Sequence, residues 1–492
     1  MNRGELFSQL KQLSEVDVIV IGGGATGLGV ALESVTRGYS TLLLEKYDFG
    51  KGTSSKATKL LHGGVRYLQK GDVSLVIEAL AEREFVLNQA PHLSNIQEFV
   101  IPHYSYWRGW YYMMGLLIYD ILSGKKSLGK TRKLNKKETL DYLPNLKKDG
   151  LKGGILYTDG QFDDTRLCID LVHTIIKKGG LAINYCKVTD LIVENGTIKG
   201  VSYKDEESGD HGSINAKVVV NATGVFAEET MNMEGEASAN IKIVPARGSH
   251  IVLDQSFLDS KQAIMIPKTS DGRVLFLVPW HNVVIVGTTD HVSKTLSLEP
   301  YATEKEIDFI LQNAANYLDK KPTKEDILST FAGLRPLAAP KKEGKKSKEI
   351  SRSHKIVKSK AGLYSVLGGK WTTFRKMGED TINKIVKHKV LSPSTTTSSN
   401  VSISNGMVSP NEKRIHEKLH YSWNQIEHII KTEFAEKVED VLCRRTRCLL
   451  LNKQATLEIL DDTLQLMASI KGYDDQWIAK EQTDFLALAE KY

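Results

Sequence analysis

The stretch VDVIVIGGGATGLGVALESVTRGYSTLLLEK, residues 16–46, passes from a β-branched apolar run through three consecutive glycines into a helical pattern and back to strand character. Residues 16–21 have the composition of a buried parallel strand, and Gly22, Gly24 and Gly27 fall on the GxGxxG spacing directly after it. The first glycine permits a tight turn and the second lets backbone approach a pyrophosphate. The third lets the helix of residues 28–37 pack on its strand. The free N–H groups and the dipole of that helix favour an anion at its start. A second strand, residues 40–44, ends in Glu45, whose carboxylate suits a ribose 2′-OH and disfavours a 2′-phosphate. Strand, glycines, helix, second strand and terminal acid in this order predict an α/β domain, Rossmann-like, that binds a dinucleotide with a free ribose.

The 492 residues suffice for two or three domains, and 41% hydrophobic with 25% charged residues excludes a disordered or fibrous chain. Cys168, Cys186, Cys443 and Cys448 show no CxxC or metal-ligand spacing, so buried thiols in a reducing compartment are expected, and no metal site. The segment MNRGELFSQLKQLSE has neither the apolar core of a secretory signal nor an Arg-rich transit pattern, which predicts a cytoplasmic protein. No apolar run reaches the roughly 18 residues of a spanning helix, so membrane contact is expected to be peripheral. The net charge of +7 is concentrated in KKSLGKTRKLNKK, residues 125–137, and KKEGKKSK, residues 341–348. Both read as solvated loops. The first, however, follows SYWRGWYYMMGLLIYDIL, residues 105–122, and the pair suits docking on anionic lipid. A buried helix of a substrate domain is the alternative for that aromatic stretch. No nucleic-acid module is present.

After Glu45 comes KYDFGKGTSSKATKLLHGGVRYLQKG, residues 46–71, a loop of the kind that holds ligands at the end of a parallel strand, and then a helical run over residues 73–89. The strand pattern AKVVV leads into NATG, residues 221–224. IKIVPARGSHIVL, RVLFLVPW and VVIVGTTD carry antiparallel signals and predict an inserted substrate-binding sheet. AGLRPL, LYSVLGGK and a helix from Trp371 to about His388 return the chain to the first domain. SPSTTTSSNVSISNG, from Ser392, reads as a linker to a helical remainder. The expected division is a discontinuous cofactor domain of residues 1–90, 150–232 and 330–391, a substrate domain of 91–149 and 233–329, and a C-terminal helical domain of 392–492.

The motifs TSSKATKLLHGGVRYL, EALAEREFVLNQAPHL, NATG, RGSHIVL, VPW, VGTTD, GLRPL and LGGKWTTFRK, in this order, resemble those of the FAD-dependent glycerol-3-phosphate dehydrogenases, and VEDVLCRRTR resembles that family's C-terminal domain. The glycine spacing also continues through Ala31 and Gly38, as in the extended fingerprint of FAD enzymes. The resemblance implies a flavoprotein of the glycine and D-amino-acid oxidase type, with FAD as cofactor. It implies oxidation of sn-glycerol 3-phosphate to dihydroxyacetone phosphate and reduction of membrane quinone, on the inner face of the cell membrane. Quinone reduction leaves no short motif, an inserted segment of the oxygen-using relatives is not apparent, and a homodimer is left open.

Oxidising a secondary alcohol requires a hydride acceptor, a base and a grip on the rest of the substrate. His250 in ARGSHIVL is the expected base, because imidazole titrates near neutrality. His62 in LLHGG competes, although the resemblance places that loop against the flavin. A phosphate dianion calls for guanidinium groups, and Arg66, Arg335 and Arg352 match arginines of the family's substrate pocket. Lys370, after Gly368 and Gly369 and before a helix, is expected to stabilise an anionic reduced cofactor. Thr53, Ser54, Ser55 and Lys59 are expected to donate to FAD, with Gly224 and Gly369 letting the chain pass close to it and Thr372 beside it. Thr372 and Thr373 also suit caps of the next helix. Phe374, Ile382 and Ile385 on that helix, interspersed with lysines, suit core packing or membrane docking of its distal end. The rival readings are an amino-acid or amine oxidase of the same superfamily and a flavin-bearing subunit without turnover.

Overall fold

The apolar run of the opening stretch becomes the strand Glu15–Ile21, parallel to Thr41–Leu44 on one side and to His211–Asn221 on the other. The computed structural model describes residues 2–64, 72–234, 241–340, 353–411 and 413–492. The first sheet runs Lys355–Lys358, Tyr364–Leu367, His211–Asn221, Glu15–Ile21, Thr41–Leu44, Leu181–Ile183, and a hairpin of Cys186–Glu194 and Thr197–Asp205 extends the start of His211–Asn221. Val18, Ile19, Val20, Leu42 and Leu43 are wholly buried, as a parallel strand covered on both faces requires.

Helix Ala25–Thr36 lies on this sheet against helix Phe374–Lys387. A Cβ on Gly378 would fall 2.1 Å from the Gly29 carbonyl oxygen, and one on Gly29 would fall 2.2 Å from that of Phe374, so the two helices touch backbone to backbone. Phe374, Met377, Ile382 and Ile385 are buried in the same core, and Arg375 is buried against Glu82. This overturns the docking expectation for that helix, because its apolar stripe is already covered. Neither Thr372 nor Thr373 caps it through a side chain.

The second sheet runs His291–Val292, Ile241–Asp254, Val283–Gly287, Leu275–Trp280, Ala263–Ile266, Ser94–His103, Gly153–Phe162, Leu60–Leu61, with Ile327–Pro340 along the other side of Ile241–Asp254. All pairs are antiparallel except Ala263–Ile266 with Ser94–His103. Gly153–Phe162, and Ile327–Pro340 from residue 330 onward, were expected in the cofactor part but are hydrogen-bonded into this sheet. Their own patterns fix strand character, whereas the choice of partner is made by distant strands.

The C-terminal part packs Ile426, Ile429, Leu449, Leu464 and Phe485 into a core that includes Val252, Trp280 and Phe331 of the second sheet. The Ser/Thr-rich connection before it lies along the cofactor part, where Arg375 donates to Ser398 at 3.2 Å and the Ile403 N–H to the Gln89 carbonyl at 2.9 Å. Helix Tyr106–Ser123 buries Leu116 and Tyr119 but leaves Trp107, Trp110, Tyr111, Ile118 and Ile121 outward. Among the described residues no helix is long and apolar enough to cross a membrane. All four cysteines are buried and unpaired.

Candidate active site

A cavity of about 670 Å³ is walled by both sheets. From the first come Gly22, Gly24, Glu45, Thr53, Ser54 and Gly224; from the second come Thr58, His250, Thr288, Thr289 and Arg335, with His62 between them and Gly369, Lys370 and Thr372 closing another side. Gly24 precedes helix Ala25–Thr36 with extended backbone and no side-chain cap, and the first N–H of the helix donates to the Ser54 hydroxyl at 2.9 Å. Gly22 has φ +109°, and a Cβ there would fall 2.7 Å from the Ala222 carbonyl oxygen. Gly224 has φ +61°, with nothing within 4 Å of where a Cβ would stand. The wall at these positions is bare backbone.

Glu45 accepts from the Gly23 N–H at 2.6 Å and the Tyr47 N–H at 2.8 Å. Burial pushes its carboxyl above the usual range, and these two donors oppose that. Glycine turn, open helix start and strand-end acid together form a donor set that fits a dinucleotide with a free ribose.

His250 lies on Ile241–Asp254 opposite Gly287. A Cβ on Gly287 would fall 2.2 Å from the imidazole Cδ2, so this glycine makes room for the ring. The other ring face stacks on Phe331 at 4.5 Å, and Nε2 shares a 2.9 Å hydrogen bond with the Thr58 hydroxyl. Burial, then the positive charges of Arg335 and Lys59, hold His250 well below 6.5. The imidazole is therefore neutral at neutral pH and able to accept a proton.

Arg335 crosses from the neighbouring strand over Gly248, where a Cβ would fall 2.2 Å from a guanidinium nitrogen. It donates to the Thr289 carbonyl at 3.2 Å and the Thr288 hydroxyl at 3.0 Å, with an Asp290 carboxylate oxygen at 3.6 Å. His250 and Arg335 thus share one wall, each fitted over a glycine. Asp159 also faces the cavity, held by Arg83 at 2.7 Å and by the Tyr119 hydroxyl at 3.0 Å.

A Cβ on Gly27 would fall 1.8 Å from the Gly22 carbonyl oxygen and 3.3 Å from Val20 of the strand, the close helix packing that its spacing predicts. Two expected residues are elsewhere. Ser55 turns its hydroxyl back to the Gly52 carbonyl at 3.3 Å. Lys59 is wholly buried behind the wall, its ammonium on Asp164 at 2.7 Å and on the Ser55 carbonyl at 2.9 Å. It cannot also serve the cofactor, because leaving Asp164 would strand a buried carboxylate. Arg66 and Arg352 lie outside the described residues, as does the lysine run of residues 341–348. Thr58, Gly248, Gly287 and Phe331 are additional to the expected set. Gly248 in RGSH and Gly287 in VGTT each interrupt a strand-forming run and so carry a local signal, whereas Thr58 and Phe331 carry none.

The fold and this wall define a dinucleotide-binding oxidoreductase. Residues 17–372 match the FAD dependent oxidoreductase family, and residues 388–478 match the C-terminal domain of alpha-glycerophosphate oxidase. A mitochondrial glycerol-3-phosphate dehydrogenase of Bos taurus is 36% identical, over 95% of this chain and 72% of its own length. One of Saccharomyces cerevisiae is 38% identical, over 79% of this chain and 66% of its own, slightly under two thirds. The structure of the glycerol-3-phosphate dehydrogenase from Bacillus halodurans complexed with FAD superposes with a TM-score of 0.79 at 26% identity, covering 99% of this chain and 97% of that one. The chain belongs to the glycerol-3-phosphate dehydrogenase family of FAD-dependent oxidoreductases.

Proposed function

We propose that this chain oxidises the secondary hydroxyl of sn-glycerol 3-phosphate to the ketone of dihydroxyacetone phosphate, and that a membrane quinone receives the electrons. The observation that carries the reading is one cavity lined by the glycine turn of the first sheet and by His250 and Arg335 of the second. FAD, when bound, supplies the hydride acceptor. Arg335 grips the phosphate through its fork of donors, exchanging the Thr288 and Thr289 oxygens for phosphate oxygens. Arg66 and Arg352 join it as further phosphate ligands. Neutral His250 takes the hydroxyl proton at Nε2, the ring atom that the Thr58 hydroxyl also reaches. Stacking on Phe331 holds the imidazole plane while this happens. Lys370 adds positive charge at the start of the following helix. Phe99, Met265 and Phe276 on the remaining wall exclude water from the reacting atoms.

The same reading seats the chain on an anionic lipid surface, at the inner face of the cell membrane. Its support is helix Tyr106–Ser123, on which Trp107 is 74%, Trp110 59% and Ile121 77% exposed. The basic residues Lys126, Lys130, Arg132 and Lys133 follow directly. The test of the chemistry is anaerobic mixing of the FAD-bound protein with glycerol 3-phosphate, glycerol, lactate or amino acids. Bleaching of the flavin band by glycerol 3-phosphate alone is expected. Bleaching by an amino acid instead would hand the site to the amine-oxidase reading, and no bleaching by any of them would make it a non-catalytic subunit.

A further inference from the structure

Residues 45–54 form the loop of the cavity wall that faces the glycine turn. Glu45, Lys51, Thr53 and Ser54 all line the cavity. Outside the C-terminal part this loop is tied by the Gly50 N–H on the Gly23 carbonyl at 3.0 Å, by the Tyr185 and Cys186 N–H groups on the Tyr47 and Glu45 carbonyls, both at 2.8 Å, by the Trp371 indole N–H on the Ser54 carbonyl at 2.8 Å, by the Thr53 hydroxyl on the Leu334 carbonyl and by the contacts of Glu45 and Ser54 already described. Its charged attachments come from the C-terminal part, more than 380 residues away in sequence. Arg444 and Arg445 converge on Asp48, which is wholly buried. Phe434 meets Phe49 edge-on at 6.4 Å. Glu439 pairs with Lys51 and also with Arg444 at 3.3 Å. Asn184 bridges the two sides, donating to Asp48 at 3.1 Å and to the Phe434 carbonyl at 2.9 Å.

The geometry on the C-terminal side suits such a grip. Asp440–Arg445 is a π-helical turn, and it presents both adjacent arginines to one carboxylate. No residue of 433–447 itself lines the cavity. A wide turn with three buried charged side chains, Asp440, Arg444 and Arg445, is a costly element unless those charges are matched. Asp48 of the loop meets both arginines, and Lys51 meets the preceding Glu439. The hydrophobic core of the C-terminal part is formed separately, largely against the second sheet. The charged seam is therefore a second attachment, and it is made to the loop that faces the cofactor.

We propose that Glu439, Arg444 and Arg445 are positioning residues for the cofactor: they fix Lys51 and Asp48, so that FAD binding and docking of the 439–447 turn are thermodynamically coupled. The proposal rests on the FAD reading of the cavity. Because coupling is reciprocal, FAD tightens the turn as the turn tightens FAD.

The full-length apoprotein, titrated with FAD and followed by hydrogen exchange, tests this. In the unmodified chain FAD is expected to slow amide exchange in residues 439–447 as well as in residues 45–54. Glu439→Gln should raise the Kd for FAD about fivefold or more, the lower edge of ordinary coupling between sites, and should abolish the protection of 439–447. A merely structural role would shift the melting temperature without touching either readout. Protection that ends at residue 54 in the unmodified chain overturns the proposal, and so does an unaltered Kd in Glu439→Gln. Should that variant fail to fold, the exchange comparison on the unmodified chain decides alone. An unmodified chain that takes up no FAD overturns the cofactor reading itself, and is distinguished from the other failures because it appears before any variant is made.

Discussion

At the seam between the C-terminal part and the first sheet, Arg166 meets Glu433 at 2.6 Å and Asp170 at 2.8 Å, Arg444 and Arg445 converge on Asp48, and Arg447 reaches Asp163. At the cavity, Arg335 meets a hydroxyl and a carbonyl oxygen, with its carboxylate neighbour Asp290 farther off at 3.6 Å. Both sets of guanidinium groups are largely out of water. The seam answers each with formal negative charge, and Asp163 is accordingly held far below the usual carboxylate range by Arg447 against the effect of burial. The cavity answers Arg335 first with dipoles. A guanidinium held by dipoles can exchange them for a phosphate at little loss, whereas one neutralised at hydrogen-bond distance cannot leave without stranding a buried charge. Similar chemistry thus makes cement in one region and a binding group in the other.

His250→Ala should show the largest effect, a fall in kcat of roughly 10² to 10⁴ as expected for loss of a general base, with FAD content and binding of an unreactive phosphate analogue nearly unchanged. Steady-state kinetics beside an absorbance count of bound flavin checks it, and turnover at the unmodified rate moves the role to His62 or Lys370. Next comes Arg445→Met, which leaves Asp48 under-compensated in the seam and should cost about 3–5 kcal/mol in urea denaturation. Replacing Asp48 by Asn in the same chain should recover part of that loss. Arg335→Lys should leave stability within about 1 kcal/mol and lower kcat/KM for glycerol 3-phosphate about tenfold or more, since the charge stays and the fork is lost. If instead Arg335→Lys destabilises as much as Arg445→Met, the contrast between the two regions collapses.

The pH profile sharpens the same contrast. The pKa of His250 is depressed below 6.5, so its neutral form already prevails at that pH. The acid limb of kcat/KM, which reports the free enzyme, should therefore lie below pH 6.5, and it should vanish in residual His250→Ala activity. The smallest effect on the folded chain is expected from Trp107→Ser with Trp110→Ser. Both rings are exposed and stacked on each other at 5.7 Å, so stability and bound flavin should hardly move. Co-sedimentation with anionic vesicles at low salt should fall severalfold. Unchanged sedimentation would remove helix Tyr106–Ser123 from the docking surface.

Much of the fold is legible locally. The turn at Gly22, Gly24 and Gly27, the helix Val73–Gln89 and the antiparallel character of the second sheet follow from steric requirements and periodicities that neighbouring residues carry by themselves. His250, expected for its imidazole, and Arg335, expected through the family motif, both line the cavity. Lys59 does not. A lysine in a Gly/Ser-rich loop reads as exposed or ligand-facing, and only the arrival of Asp164 from another element turns it inward. The same holds for helix Phe374–Lys387, whose stripe suits lipid or core equally until Gly29 and Gly378 bring two backbones together.

The sequence by itself determined the dinucleotide turn, the strand and helix periods and the inventory of cations and bases, since each depends on bonded geometry and on neighbours within a few residues. Only the tertiary structure decided which strands share a sheet, which arginines are neutralised and which face a cavity. Those outcomes depend on pairs such as Asp48 with Arg445, nearly 400 residues apart. Whether a buried charge is matched is a property of the packed interior, where the low dielectric makes an absent partner costly and a present one decisive.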